Sequence, residues 1–300
     1  MKNSLKITAI FTTVVMFILM IAGSLVTNTG SALGCGNDWP LCNGKLVPEY
    51  TLATMIEYTH RLITAFAGIL VLAFSIWAWI RYSKNREVKI LSIMSITFII
   101  IESLLGASAV IWPQSPAALA LHFGLSLIAF TGVFLLSMFV IQKDRPDNFI
   151  KGSVTTNFKW LTWFTLLFTY CDIYLGAYVR HKGASLACTD FPACYGNTLI
   201  PELSGTTGIH FAHRFAALVL FILIICILVS AIKQYKETRR DIYYASIFAF
   251  ALTIAQIISG VFVVISSLNI ISTLSHSAFI TALFGTLSYI CLQTLKEDKQ

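Results

Sequence analysis

Eight apolar stretches, each long enough to cross a bilayer, dominate this 300-residue chain. A transmembrane helix needs roughly 20 mostly apolar residues, and the stretches lie at approximately 7–29, 52–80, 89–111, 116–141, 158–179, 207–232, 242–265 and 271–294. Hydrophobic residues make up 57% of the chain and charged residues only 12%, about half the ~25% of a soluble protein. The first stretch is longer than the roughly 7–15 residues of a signal-peptide core, so we expect it to remain. The sequence therefore predicts an all-α integral membrane protein with eight transmembrane helices.

The net charge of +7 is explained by where the basic residues lie. Most of the 21 lysines and arginines are in the N-terminus, every second loop and the C-terminus, whereas the remaining loops hold only Lys45, Arg180 and Lys182. Because basic residues are enriched on the cytoplasmic side of membranes, this asymmetry predicts a multi-pass cell-membrane protein with both termini in the cytoplasm. We expect a lipid bilayer around the chain and no nucleic-acid partner.

The chain contains two copies of one unit of four spans. Three pairs of segments recur in order: GSLVTNTGSALGCGNDWPLCNG (23–44) with GAYVRHKGASLACTDFPACYG (176–196), EYTHR (57–61) with HFAHR (210–214), and ESLLGASAVI (102–111) with QIISGVFVVI (256–265). The register is shared, because 25 residues separate Cys35 from His60 and also Cys188 from His213. An even number of spans per copy gives both copies one orientation. We therefore predict two repeated four-helix bundles, residues 1–145 and 146–300.

Four of the six histidines occupy equivalent positions in the two copies: His60, His122, His213 and His276. Each begins an even-numbered span, which places all four in the extracytoplasmic half of the bilayer. A single histidine there is commonly a packed residue with one hydrogen bond, but four at symmetric positions favour a shared role. Two imidazoles facing each other across a bundle suit the axial positions of a haem iron, whereas zinc usually requires three or four protein ligands. The pattern predicts one haem held by two histidines in each half.

An arginine directly follows two of these histidines, Arg61 after His60 and Arg214 after His213. Its guanidinium could extend to the membrane interface or donate charge-assisted hydrogen bonds to a haem propionate. The same position in both copies favours propionate binding.

The two copies differ where the first has acidic residues. Glu57, three residues before His60 and on the same helical face, is replaced by His210, and Glu102 is replaced by Gln256. A partly desolvated carboxyl group beside a haem can transfer a proton or stabilise positive charge on a substrate; alternatively, Glu57 is a helix N-terminal carboxylate favoured by the helix dipole. We expect Glu102 to be a polar partner inside the bundle. The difference predicts a reacting site in the N-terminal half and a resident cofactor in the C-terminal half.

Two cysteine pairs, Cys35/Cys42 and Cys188/Cys194, lie in equivalent extracytoplasmic loops, a location that permits disulfides. Each pair is predicted to form a structural disulfide over a haem site or a redox-active pair that exchanges electrons with a thiol protein or with the haem. The sequence leaves both readings open for Cys35/Cys42.

Together these residues resemble the haem A synthase family. The resemblance rests on the eight spans, the pattern GxxVxxxGxxLxC in both copies, Glu57-x-x-His60-Arg61, His122, His213-Arg214 and His276, and it covers nearly the whole chain. The cysteine pairs are similar to those of the bacterial branch of that family, which carries them in both outer loops. The resemblance implies an oxidoreductase that converts a methyl group of haem O to a formyl group, giving haem A for cytochrome oxidase.

The resemblance also implies a division of labour between the halves. Haem O would bind between His60 and His122, with Glu57 as the catalytic residue, and a haem b cofactor would bind between His213 and His276. Haem O synthase and an unidentified electron-transfer protein are further candidate partners. The alternative function is a di-haem b-type membrane electron carrier, which would use the same histidines but gives no reason for Glu57 beside one pair alone.

Overall fold

The computed structural model describes residues 2–112, 114–143 and 152–296, which form eight helices. Their bounds are α1 Lys2–Asn28, α2 Leu52–Arg81, α3 Arg86–Ile111, α4 Pro116–Gln142, α5 Thr156–His181, α6 Gly205–Gln234, α7 Arg240–Ile265 and α8 Ile270–Gln293. Within the described ranges there is no β-strand, only the isolated bridges Cys42–Lys45 and Tyr195–Thr198. The predicted all-helical fold is confirmed, and each helix coincides with one predicted apolar stretch.

Most of the helices begin at a polar residue whose side chain accepts a hydrogen bond from the first turn. Thr51, Asn85, Ser115, Thr155 and Asn269 cap α2, α3, α4, α5 and α8 in this way. Such a cap satisfies one of the backbone N–H groups that have no partner within the helix. The ends of the apolar stretches are therefore set by local polar residues and not by hydropathy alone.

Seven of the eight helices are long and apolar enough to cross a membrane, and α5 is not among them. Helix α5 contains Asp172 together with several threonines, tyrosines and tryptophans, which lower its hydropathy. On the other helices many large apolar side chains face outwards; Ile69, Leu104 and Leu218, for example, are 67%, 64% and 55% exposed. Such surfaces are stable in lipid, so the chain is a multi-pass membrane protein.

The chain divides into two compact units, residues 1–143 and 144–300. In the first unit, α1 packs on α2, α2 on α3, α3 on α4, and α4 returns to α1. In the second unit α5 to α8 pack in the same cyclic order, with α8 returning to α5. The boundary predicted between residues 145 and 146 lies outside the described residues.

Within each unit the buried side chains concentrate in the half far from the cysteine-containing loops. Phe74 of α2 and Leu136 of α4 are fully buried, and the buried residues of α8 lie almost entirely in its second half, from Thr281 onward. The repeated histidines lie in the opposite half, where the side chains of His122 and His213 remain 32% and 23% exposed. The tightly packed half therefore holds the helices in place, and the half with the histidines is the more open one.

Candidate haem-binding sites

Each of the four repeated histidines packs over a glycine on the preceding helix. The distance from a Cβ built on that glycine to the imidazole Cε1 would be only 3.4 Å for Gly23–His60, 3.7 Å for Gly106–His122, 2.8 Å for Gly176–His213 and 3.1 Å for Gly260–His276. A methyl group would be in ordinary contact with the ring at Gly23 and Gly106, would be tightly packed at Gly260, and at Gly176 would come closer than real Cβ contacts allow. These close contacts explain why a glycine recurs in both repeated motifs.

In the first unit, a buried carboxylate on the neighbouring helix lies next to His122. Oε2 of Glu102 lies 3.1 Å from Nδ1 of His122, and Glu102 is 7% exposed. The Ser126 hydroxyl donates to the same carboxylate oxygen. The predicted role of Glu102 as a polar partner inside its unit therefore corresponds to an observed contact.

In the second unit, His213 has its own carboxylate partner, which the sequence analysis missed. Oδ1 of Asp172 lies 2.7 Å from Nδ1 of His213, and Asp172 is 6% exposed. The sequence contains a feature that could have identified this residue, because Asp172 is the one acidic residue in α5. An ionisable residue inside a span is generally functional.

His276 is surrounded by neutral polar groups. Its Nδ1 lies 3.0 Å from Ser259 Oγ and 3.2 Å from the backbone carbonyl of Gln256, so this nitrogen carries the proton that the carbonyl accepts. Its Nε2 lies 3.1 Å from the side-chain amide nitrogen of Gln256. Gln256 thus contacts the second histidine of its unit, as Glu102 does in the first.

His60 has no carboxylate next to its imidazole in the contacts that the described residues make. Its Nδ1 is buried and has no hydrogen-bond partner within the part of the chain that the structure describes. His60 and His122 lie close enough to interact electrostatically, and so do His213 and His276. The predicted pairs of histidines are therefore brought together within each unit.

These features fit a haem better than a metal ion held by protein ligands alone. Among the described residues there is no group of three or more His, Cys, Asp or Glu side chains that could hold a metal ion, which argues against a zinc site. Each unit instead offers two imidazoles next to glycines, in its more open half. In His213, whose Nδ1 contacts a carboxylate, Nε2 keeps its lone pair for a metal, whereas at His276 the side chain of Gln256 would have to move away from Nε2. The residues present therefore fit a planar cofactor with two axial histidines.

Glu57 and Arg61 connect α2 to the first cysteine-containing loop. Glu57 is 3% exposed; its Oε2 accepts a hydrogen bond of 2.8 Å from the Cys35 backbone N–H. Its Oε1 forms an ion pair of 2.5 Å with Arg61 Nη2. Arg61 Nη1 donates to the carbonyls of Asp38 and Leu41 at 2.8 and 2.9 Å. The acid and the arginine together hold the loop against the helix.

The second unit builds the same arrangement without the acid. Nδ1 of His210 accepts from the Cys188 backbone N–H at 3.2 Å, and Nε of Arg214 lies 3.2 Å from Nε2 of His210. Arg214 Nη1 donates to the carbonyls of Asp190 and Ala193 at 2.8 and 3.2 Å. The Glu57-to-His210 difference therefore keeps the loop contact and removes a negative charge. Propionate binding by Arg61 and Arg214 stays a prediction, since the observed contacts of the two guanidinium groups are to the loops and to Glu57 or His210.

Both predicted cysteine pairs form disulfides, with S–S distances of 2.02 Å for Cys35–Cys42 and 1.98 Å for Cys188–Cys194. The four disulfide cysteines are at most 1% exposed. Each disulfide closes the short loop that Arg61 or Arg214 binds. The disulfides and the arginines therefore fix the same loops.

Comparison with known proteins gives a consistent match along the chain. The COX15-CtaA family, described as a cytochrome oxidase assembly protein, matches residues 6–288. A heme A synthase of Bacillus licheniformis is 42% identical over 305 aligned residues, which cover 100% of this chain and 99% of that protein. Heme A synthases of Geobacillus kaustophilus and Staphylococcus aureus are 40% and 38% identical, covering 99% and 100% of this chain and 93% and 99% of their own lengths.

Proposed function

Because the chain belongs to the COX15-CtaA family of cytochrome oxidase assembly proteins, we infer that it is a haem A synthase, a membrane enzyme that oxidises haem O to haem A. The observation that carries this function is the presence of two histidine pairs, each packed on glycines, in a chain that matches heme A synthases over its full length. The substrate is haem O, and the protein is embedded in the lipid bilayer.

The two units have different tasks in this proposal. Residues 1–145 form a four-helix bundle that binds haem O between His60 and His122, and residues 146–300 form a repeated bundle that holds haem b between His213 and His276. The difference in charge supports this assignment, because Glu57 pairs with Arg61 in the first unit while His210 leaves Arg214 without a carboxylate in the equivalent contact. When bound, haem b supplies one-electron redox chemistry.

Glu57 acts in the reaction through its charge. Glu57 lies three residues, about one helical turn, before His60. Its carboxylate neutralises the guanidinium of Arg61, the residue after His60, and accepts a hydrogen bond from the Cys35 backbone N–H. Oxidation withdraws electrons from the substrate, and a nearby unpaired cation would oppose that withdrawal. Arg61 and Arg214 keep the disulfide loops over the histidine pairs and offer N–H groups to propionates at the wet edge.

The asymmetry of basic residues supports an orientation with both termini in the cytoplasm. The histidines then face the extracytoplasmic side, below the disulfide loops. The formyl oxygen comes from water, whose attack releases protons to the solvent; an electron-transfer protein takes up the electrons released by the oxidation, and haem O synthase delivers the substrate.

Pigment analysis tests the enzymatic function directly. The intact protein, co-expressed with a source of haem O, is expected to produce haem A that is detected in a reduced pyridine haemochrome spectrum and by chromatography of extracted haems. Cells that carry the haem O source alone are the control. Unchanged haem O together with bound haem b would instead identify the chain as a di-haem electron carrier.

Gly176→Ala is expected to lower the haem content of the second unit. The added Cβ would lie 2.8 Å from Cε1 of His213, and overpacking of this kind costs about 1–3 kcal/mol and displaces the ring. Gly68→Ala is the matched control, since a Cβ there meets no heavy atom within 4 Å. Equal haem content in the two purified variants, measured by the haemochrome assay, would contradict the role of Gly176 as the platform for His213.

A further inference from the structure

Asp172 is a buried acid in the middle of α5 for which the proposed reaction gives no role. It is 6% exposed and lies four residues before Gly176, the glycine on which His213 packs. One helical turn therefore separates Gly176, which packs against the imidazole of His213, from the Asp172 carboxylate that binds the same imidazole. Because a buried ionisable side chain is costly unless it is paired, this position calls for a specific partner.

The partner is the imidazole of His213, and the direction of the hydrogen bond is set by chemistry. The Oδ1–Nδ1 distance is 2.7 Å, which is typical of a charge-assisted hydrogen bond. A carboxylate only accepts hydrogen bonds, so Nδ1 carries the proton and Nε2 keeps its lone pair. Metal-binding histidines commonly have a carboxylate in this place, which fixes the ring and makes the other nitrogen a stronger donor.

The first copy of the repeat has no equivalent acid. Four residues before Gly23, the position that matches Asp172 is Leu19, and the Nδ1 of His60 has no hydrogen-bond partner among the described residues. The carboxylate that lies next to a repeated histidine in the first unit is that of Glu102, and this histidine is the other member of the pair, His122. Each unit thus has an acid next to one of its two histidines. In the first unit this is the second histidine, His122, and in the second unit it is the first histidine, His213.

His276 does not share this support. The groups at its Nδ1 are the Ser259 hydroxyl and the Gln256 carbonyl, both neutral. The second unit therefore contains one histidine bound to a carboxylate and one bound to neutral groups. A negative charge next to one axial ligand acts on the iron without touching it.

We propose that Asp172 is a positioning residue that orients His213 as the stronger axial ligand of the haem in the second unit and lowers the midpoint potential of that haem. This inference rests on the proposed function, which places a haem between His213 and His276. A more strongly donating ligand and a nearby negative charge both stabilise ferric over ferrous iron. In the first unit the carboxylate, Glu102, lies next to the second histidine, His122. The contact of Asp172 with the first histidine therefore distinguishes the cofactor site from the substrate site.

Two substitutions at Asp172 separate charge from contact. Asp172→Asn keeps an oxygen that can accept from Nδ1 and removes the charge, whereas Asp172→Leu reproduces Leu19 of the first copy and removes both. Thr169→Val is the matched control on the same helix, because within the described part of the chain the buried Thr169 hydroxyl donates to the Thr165 carbonyl of its own helix, at 2.7 Å, and to no other group. The full-length protein is purified in each case, and its haem b content and midpoint potential are measured by haemochrome assay and redox titration.

Asp172→Asn is expected to retain haem b and to shift its midpoint potential to a more positive value. Asp172→Leu is expected to weaken haem retention roughly 10- to 100-fold, as is typical when the outer partner of a metal ligand is lost. Thr169→Val is expected to match the wild type in both measurements. A midpoint potential and haem content equal to the wild type in both Asp172 variants would overturn the inference.

The same samples show whether a negative result refutes only the role of Asp172 or the proposed function as a whole. If the wild-type protein contains haem b that is lost in His213→Ala, the site exists, and unchanged Asp172 variants refute the role of Asp172 alone. If the wild type contains no haem b that depends on His213, both the proposed cofactor site and the inference are refuted.

Discussion

His213→Ala is expected to remove haem b from the purified protein and to abolish haem A formation, whereas His60→Ala is expected to abolish haem A formation with haem b retained. The physical reason is that each substitution removes an axial nitrogen from one unit only. Loss of even an outer partner of a metal ligand costs roughly 10- to 100-fold in affinity, so loss of the ligand itself should leave the site empty in a purified sample. Haemochrome spectra of the two variants, beside the wild type, measure both pigments at once.

His181→Ala is the matched control for these substitutions. His181 lies in the last turn of α5, and the corresponding residue of the first copy is Asn28, so the repeat does not preserve it. We expect this variant to keep both pigments. Loss of both pigments to the same degree in His60→Ala and His213→Ala would show that the two units do not have separate tasks.

Glu57→Ala is expected to reduce haem A formation by about 100-fold or more, the usual effect of removing one electrostatic stabilising group from an active site, while haem b is retained. The substitution leaves the Arg61 guanidinium, whose side chain is 15% exposed, without its carboxylate. It also removes the acceptor of the Cys35 N–H. The rate of haem A formation in membranes, normalised to the amount of protein, is the measurement.

Two further variants separate the charge of Glu57 from its contact with the loop. Glu57→His recreates the arrangement of His210, which holds the Cys188 N–H and contacts Arg214 in the second unit, and Glu57→Gln keeps a side-chain oxygen without the charge. Both are expected to hold the loop and to lose haem A formation, whereas Glu57→Asp should retain part of it. Activity of Glu57→His near that of the wild type would show that Glu57 serves only to hold the loop.

The sequence predicted those features that are recorded as patterns along the chain. The helices of the structure lie where the apolar stretches are, because a span must satisfy its backbone hydrogen bonds internally and so must be helical. The repeated cysteines were predicted to pair, and both disulfides are present. The comparison of EYTHR with HFAHR predicts that Glu57 and His210 are equivalent, and in the structure each accepts a hydrogen bond from a cysteine N–H of its own loop.

The contacts between helices could not be predicted in this way. In a soluble helix the apolar face shows which side packs inward, but lipid is as apolar as a protein core, so hydropathy does not fix the rotation of a membrane helix. The pairing of Asp172 with His213 depends on the relative rotation of α5 and α6. The contact of Arg61 with the carbonyls of Asp38 and Leu41 depends on how the loop folds back over α2.

By itself, the sequence determined that this chain is a helical membrane protein with a repeated set of four histidines and two acids, Glu57 and Glu102, that the second copy lacks. Only the tertiary structure decided which polar groups lie next to three of the four imidazoles: Glu102 at His122, Asp172 at His213, and neutral groups at His276. Such partners come from neighbouring helices, and their identity is set by side-chain packing within a few ångströms, which no spacing along the chain encodes.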